Sequence, residues 1–405
     1  MSKTIISPYA CEPEKGYDYR TALEEASRCL LCYDAPCSEG CPAGTDPAKF
    51  IRSLRFKNIY GAAETVRENN PFGGCCANVC PYDRQCEEAC SRCGIDKPIR
   101  IGRIQKYLVE QEKEQNMCFV KPGEPNGKKI ACIGSGPASL TCARELAEQG
   151  YDVTVFEAKE KPGGMLTYGI LPSRLPQDIV DFDIEQVEKA GVKIVCGHRV
   201  EISELEEMKK EYDAVFVGVG LWNSKTVDIP GADLDGVEDA LTFLCAARTD
   251  TANLKLGKKV VVIGGGDVAM DCASTAKQLG ADTAIVYRRT IEEAPADFEE
   301  VSSVMSMGVP IITQFSPVEI LGEGGKVVGF TAKGRDGESS LKMAVDQIVF
   351  AIGQSLEEDC AEIREEDNVY VGGDMAYGRG RTVVEAVSDG KKAAFKIMDA
   401  LGKEG

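Results

Sequence analysis

The chain has 405 residues, an ordinary hydrophobic fraction of 43% and a formal charge of −18. That length predicts two to three domains with sizeable cores, and the acidic balance excludes recruitment by nucleic acid or by anionic membranes. No apolar run approaches the ~20 residues of a membrane span, and the start Met1–Ser7 has no h-region, so the expectation is a cytoplasmic protein.

Cysteine usage breaks this plain picture. Eleven of the 18 cysteines fall between Cys11 and Cys93. In a reducing compartment such clustering points to metal or redox chemistry rather than disulfides. His198 is the single histidine, which leaves little room for Cys/His zinc sites or imidazole catalysis.

In chain order, a helical pattern over Tyr19–Arg28 runs into Cys29-x2-Cys32-x4-Cys37-x3-Cys41-Pro42. A helix-like segment over 46–69 follows, then Cys75-Cys76-x3-Cys80-Pro81-x4-Cys86-x3-Cys90-x2-Cys93. A thioredoxin-like CxxC explains one pair only, and structural zinc knuckles with four-cysteine ligation are a second alternative. Iron–sulfur clusters fit best. Closely spaced thiolates with a further Cys-Pro are the ferredoxin pattern, in which the cysteine beside proline ligates the other cluster. Two clusters need eight ligands; regular spacing supplies Cys29, Cys32, Cys37, Cys41, Cys80, Cys86 and Cys90. Spacing leaves the eighth open among Cys75, Cys76 and Cys93.

Ile99–Glu112 reads as a helix, and Lys121–Gly127, with two prolines and two glycines, as a linker. An apolar strand from Lys129 then breaks into Gly134-Ser135-Gly136-Pro137-Ala138 with a helix beyond, the setting in which a glycine turn takes a pyrophosphate. Glu157 closes the next strand, about 20 residues on, where an acid hydrogen-bonds an adenosine ribose. A second strand–turn–helix reads Gly264-Gly265-Gly266-Asp267-Val268-Ala269. At the end of its next strand stand Arg288 and Arg289, suited to a 2′-phosphate and hence to NADPH. Two dinucleotide sites of unlike character imply hydride transfer from nicotinamide to flavin. Residues 345–353 and 368–374 read as strands returning to the first domain, with Gly373-Asp374 suited to a flavin ribityl, and a helix from Val383 to Leu401 ends the chain.

These motifs together resemble the electron-input, PreT-type subunits of dihydropyrimidine dehydrogenase, and are similar to glutamate synthase small subunits and ferredoxin–NADP transhydrogenase subunits. Gly134–Ala138, Glu157, Gly163–Ile170, Arg174-Leu175-Pro176, Gly372–Asp374 and Thr382–Val387 match the flavin blocks. The Gly264 turn and Tyr287–Thr290 match the nicotinamide block. The resemblance implies an α/β chain of two Rossmann-like, glutathione-reductase-like domains behind an α-helical iron–sulfur domain. Its expected boundaries are 1–110 for two [4Fe–4S] clusters, 111–128 for a linker, 129–245 with 351–405 for FAD, and 246–350 for NAD(P)H.

The resemblance also implies site residues. For FAD these are Gly134, Ser135, Gly136, Pro137 and Ala138; Glu157, Ala158 and Lys159; Gly164, Met165, Leu166, Gly169 and Ile170; Val200, Gly218 and Gly220; and Gly373, Asp374, Arg381, Thr382 and Val383. For NAD(P)H they are Gly264, Gly265, Gly266, Asp267, Val268, Ala269, Arg288, Arg289, Ala351 and Gly353. One cluster takes Cys29, Cys32, Cys37 and Cys90, and the other Cys41, Cys80, Cys86 and Gln105. A glutamine amide is the family's replacement for the eighth cysteine, whereas the glutamate synthase subunits carry Glu there. Cys75, Cys76 and Cys93 become spare. NADPH is the expected donor with NADH possible. No side chain is assigned as catalytic, because hydride transfer falls on flavin N5. The implied partner is a PreA-like subunit with FMN and its own clusters, in a heterotetramer that reduces uracil or thymine. The alternatives are a glutamate synthase small subunit, a transhydrogenase-type subunit, or a stand-alone zinc-containing flavin thiol reductase.

Overall fold

Short polar side chains start the N-terminal helices. In the computed structural model, which describes residues 16–402 and so leaves Met1–Ser7 outside, Asp18 caps Tyr19–Ser27 by accepting from Thr21 N at 2.8 Å. Asp46 and Asn58 do the same for Pro47–Arg55 and Ile59–Asn69. The segment read as one helix over 46–69 is therefore two, broken at Lys57, whose φ of 64° no helix tolerates. Pro36–Glu39, Gly73–Val79 and Ile101–Glu114, which start without a side-chain cap, are the other α-helices of the group. Phe50, Leu54, Val66, Ile104 and Leu108 are fully buried in its core, each contributing about 1.5–3 kcal/mol of transfer free energy.

A parallel five-stranded sheet follows, ordered Val369–Val371, Ala214–Val217, Lys129–Ile133, Asp152–Glu157, Lys193–Cys196. Helix Pro137–Ala147 and the C-terminal helix Val383–Gly402 cross tightly: a Cβ on Gly390 would stand 2.2 Å from the Ala138 carbonyl. The linker expected over 111–128 begins inside helix Ile101–Glu114; its Lys121–Gly127 part carries no helix or strand, yet it is held in place. Gly123 N donates to Ala147 O and Asn126 N to Gly150 O, both at 3.0 Å.

A second parallel sheet has the order Val237–Asp239, Gln347–Phe350, Lys259–Ile263, Asp282–Tyr287, Ile311–Thr313. Here one expectation is corrected. Residues 345–353 do not return to the first sheet; Gln347–Phe350 pairs with Lys259–Ile263, and only Val369–Val371 goes back. The apolar run fits any fully buried parallel strand, so it carries no address. An antiparallel sheet of Phe315–Glu323, Lys326–Gly334 and Ser340–Met343 extends this region. Its first hairpin turns on Gly324-Gly325, both at positive φ, as a two-residue loop requires.

Two compact units result. One comprises Tyr168–Leu171 and Trp222–Ser355; the other takes the described residues up to Thr167, Pro172–Leu221, and those from Leu356 onward. The helices with the clustered cysteines thus share a unit with the first sheet. Among the described residues no helix is long and apolar enough to cross a membrane.

Candidate functional site

The first glycine turn is shaped by close approach. Gly134 has φ 87°, and a Cβ there would lie 2.8 Å from the Gly218 carbonyl. Gly136 faces open space and precedes helix Pro137–Ala147, whose first N–H groups have no side-chain cap. A helix end left bare in this way is a ready anion site. Glu157 is buried rather than solvated: Oε2 accepts from Ser135 N at 2.9 Å and from Ser135 Oγ, and Oε1 accepts from Lys159 N at 2.8 Å. Three donors leave lone-pair capacity for a ribose hydroxyl.

Other predicted flavin residues gather around this turn. Ser135 Oγ accepts from Gly163 N at 3.1 Å, and a Cβ on Gly164 would sit 3.0 Å from Gly136 Cα. Met165 and buried Leu166 open the next short helix. Gly218 lies against Ser139, and Gly373, at φ 68°, against Ala138. Gly220 also has positive φ, at 74°. Ala158 follows Glu157 just past the end of its strand, and Val200 packs against the sheet's core. Burial pushes the Asp374 carboxyl up to about 6, although Arg381 N donates to it at 3.0 Å.

Some side chains are committed elsewhere. The Arg381 guanidinium binds Asp389 and Glu385 and stacks on Tyr377 at 3.9 Å. Thr382 bonds Glu385 through N and Oγ1 to start the helix that Val383 opens. Gly169 and Ile170 belong to the other compact unit.

The second turn repeats the logic. Gly264 passes under Ala351, with a would-be Cβ 2.2 Å from its carbonyl, and a Cβ on Gly265 would stand 2.4 Å from the Tyr287 ring. Gly266 is open on its free side and caps helix Asp267–Gln278 without a side chain. Asp267 is tied to Asp297 N at 2.7 Å, Val268 and Ala269 continue the first turn, and Gly353 has φ 113°. Arg288 and Arg289 are exposed, with no ion pair to a described residue.

The thiols fall into two neighbourhoods. Burial pushes the Cys37 thiol up to about 11, with Cys90, Cys29 and Cys32 adding to the rise, and Cys29 is raised in the same way. Around Cys80 the largest effect is a hydrogen bond with Cys76, followed by burial and the charges of Cys76, Cys86 and Cys41. Cys86 is raised by burial and then by Cys41. Thiols crowded so that each opposes its neighbour's ionisation can ionise together only on a cation. Thiolates gathered in such sets are the donor chemistry of iron–sulfur clusters.

Gln105 is buried, and its Nε2 donates to Gly73 O at 2.7 Å, which commits the nitrogen and leaves Oε1 to serve as a ligand. Cys75 is fully buried, with its backbone N on Asp183 at 2.8 Å, and Cys93 is exposed with Sγ on Glu87 O. Cys76 is the surprise, since it reaches the second neighbourhood. Its spacing of four from Cys80 was visible, but the helix Gly73–Val79 that makes four residues one turn was not. His198 bonds Glu204 through its ring at 2.7 Å.

Comparison with known proteins agrees with these modules. Residues 9–117 match the family described as dihydropyrimidine dehydrogenase domain II, 4Fe–4S cluster, and residues 128–367 match pyridine nucleotide-disulphide oxidoreductase. The protein is thus an electron-transfer oxidoreductase of the iron–sulfur flavoprotein class that uses NAD(P). Its fold is shared with Mycobacterium tuberculosis FprA in complex with NADPH (TM-score 0.59, 18% identity, 69% of this chain and 85% of that one). The NADP(+)-dependent formate dehydrogenase subunit beta of Moorella thermoacetica is 32% identical over 91% of this chain and 60% of its own. The NAD-dependent dihydropyrimidine dehydrogenase subunit PreT of Escherichia coli K12 is 44% identical over 97% of both chains. The chain belongs to this PreT family.

Proposed function

We propose that the chain is the electron-input subunit of a dihydropyrimidine dehydrogenase, taking electrons from NAD(P)H and delivering them to an FMN-containing partner that reduces uracil or thymine. One observation carries this reading: the Glu157-marked glycine turn and both thiol neighbourhoods lie in a single compact unit. When bound, nicotinamide, FAD and two [4Fe–4S] clusters supply the electron chemistry, converting two-electron input into one-electron output.

The chain's own residues hold and orient. The bare N–H groups at Ala138 and Ser139 face the pyrophosphate, and Glu157 takes the ribose. Gly266 and its helix do the same for the coenzyme, with Arg288 and Arg289 placed for a 2′-phosphate. Cys29, Cys32, Cys37 and Cys90 form one cage, and Cys41, Cys80, Cys86 and the Gln105 oxygen the other. Charged groups fasten these helices to the first sheet. Arg144 Nη1, on the helix behind the glycine turn, donates to Arg67 O at 2.7 Å. Lys391 Nζ, on the C-terminal helix, donates to Ala43 O at 2.9 Å, two residues from Cys41.

The test is co-expression with an FMN-containing partner and an assay of NAD(P)H oxidation driven by uracil or thymine. Pyrimidine-dependent oxidation that needs both chains is expected. Oxidation driven instead by glutamine and 2-oxoglutarate with an amidotransferase partner would refute the assignment.

A further inference from the structure

One ammonium on the C-terminal helix Val383–Gly402 has carbonyls for partners where a carboxylate is usual. Lys391 is half-buried, and its Nζ donates to Ala43 O at 2.9 Å and to Asn69 O. It forms no ion pair with a described residue. Carbonyl oxygens solvate a cation but leave its unit charge uncancelled. A neutral amide could supply the same hydrogen bonds, so the charge itself needs a reason.

The charged groups around it have other partners or stand apart. On its own helix, Asp389 is held by Arg381 and, at 3.8 Å, by Lys392. On helix Pro137–Ala147, Arg144 is tied to Glu148 at 3.2 Å, and Glu145 stands beyond ion-pair distance. Glu68, on helix Ile59–Asn69, is taken by Lys49 at 3.0 Å. Burial lowers the Lys391 ammonium and Arg144 adds to this, while Glu145, Cys41 and Glu68 support the charge.

The carbonyl it holds is well placed. Ala43 lies two residues past Cys41, in a turn that Gly44 N closes onto Cys41 O at 3.0 Å. On the other side Gly390, the preceding residue, has no room for a side chain against Ala138 and Thr141, on the helix that begins at the first glycine turn. Two adjacent residues therefore join the dinucleotide turn to the Cys41 turn. Three thiolates and a neutral amide leave a cluster with net negative charge, which grows by one on reduction. A fixed cation beside such a site favours the reduced form.

We propose that the Lys391 ammonium is the fixed counter-charge of the set formed by Cys41, Cys80, Cys86 and Gln105, and that it raises the reduction potential of the cluster held there. The proposal rests on the assignment of Cys41 to that set, and it holds whichever acceptor the chain serves.

The test is an anaerobic redox titration of the purified, cluster-loaded full chain, followed by electron paramagnetic resonance, with Lys391→Gln, Lys391→Met and Lys391→Arg beside wild type. Lys391→Gln keeps hydrogen-bond donors without the charge, and Lys391→Arg keeps the charge. In Lys391→Gln and Lys391→Met the reduced-to-oxidised ratio of the second cluster at a fixed potential should fall about tenfold, a shift of about 59 mV for one electron. Lys391→Arg should stay near wild type, and the first cluster should not move in any variant. Loss of the second cluster from Lys391→Gln and Lys391→Met but not from Lys391→Arg would equally support the role of the charge. An unmoved potential in Lys391→Gln with the cluster intact would overturn the proposal. So would an equal fall in Lys391→Arg, equal shifts in both clusters, or loss of the second cluster from all three variants. Wild-type protein that binds iron and sulfide for one cluster only would instead overturn the assignment of Cys41.

Discussion

Replacing Arg67 by Met should loosen the cysteine-bearing helices in a pH-dependent way. Arg67, Glu112 and Asp183 are all fully buried. Arg67 grips Glu112 through Nε and Nη2, both at 2.9 Å, and Asp183 through Nη1 at 2.9 Å. Burial works against its charge, but the two carboxylates outweigh burial and hold it protonated. Burial likewise pushes Glu112 up, with Arg67 opposing. Arg67→Met leaves two carboxylates without their cation, and breaking a buried pair from one side costs about 3–5 kcal/mol. Neutralising one carboxyl of ordinary pKa ~4.3 at pH 7.5 costs about 4 kcal/mol, at about 1.36 kcal/mol per pH unit, which agrees. At pH 5 the same cost is only about 1 kcal/mol. The sign follows from the raised carboxyl: its stability is present below ~4.3 and lost as the pH rises. Hydrogen exchange of amides in Ile59–Asn69 and Ile101–Glu114 reads the opening energy directly. A penalty under about 1 kcal/mol, or one equal at pH 5 and pH 7.5, would refute the reasoning. Adding Glu112→Met should restore most of the loss, since Asp183 keeps the backbone donors of Gly74 and Cys75.

Gln105→Cys puts a thiolate where a neutral amide oxygen stands, and one added charge at contact distance should lower the second cluster's potential by on the order of 100 mV. Redox titration followed by electron paramagnetic resonance measures it, and an unchanged potential would remove Gln105 from the ligand set. Asp374, raised to about 6, contributes stability that is full below ~3.9 and lost as the pH rises through 6, about 3 kcal/mol in all. Asp374→Asn should therefore flatten the pH dependence of unfolding in the flavin-stripped chain between pH 4 and 7. Parallel profiles for the two proteins would show that Asp374 titrates normally.

Local signals were readable and non-local ones were not. The Gly134 and Gly264 turns are legible because each uses glycine conformations within a few residues of one strand and helix. Glu157 was found by its distance from the turn, but its bonds to Ser135 depend on strand Asp152–Glu157 lying beside Lys129–Ile133. The cysteine spacing announced cluster chemistry, whereas Cys76 beside Cys80 needed an unforeseen helix. Residues 345–353 misled because a uniformly apolar strand names no neighbour. Lys391 carries no motif; only the packing of the C-terminal helix brings it to Ala43.

Charged side chains make directional ties between the thiol-bearing helices and the helices around the first sheet. Arg144 reaches Arg67 O, Arg67 reaches Asp183 on helix Gln177–Lys189, and Lys391 reaches Ala43 and Asn69. Each is a directional bond, so sliding one element past another breaks it, whereas an apolar face tolerates small shifts. A protein that passes electrons between groups it holds gains from fixed separations. The Arg67→Met/Glu112→Met protein separates the two roles: if the ion cluster serves position, it should fold with near wild-type exchange protection yet pass electrons from flavin to cluster more slowly. Unaltered transfer in a fully protected double variant would leave the cluster a purely structural part.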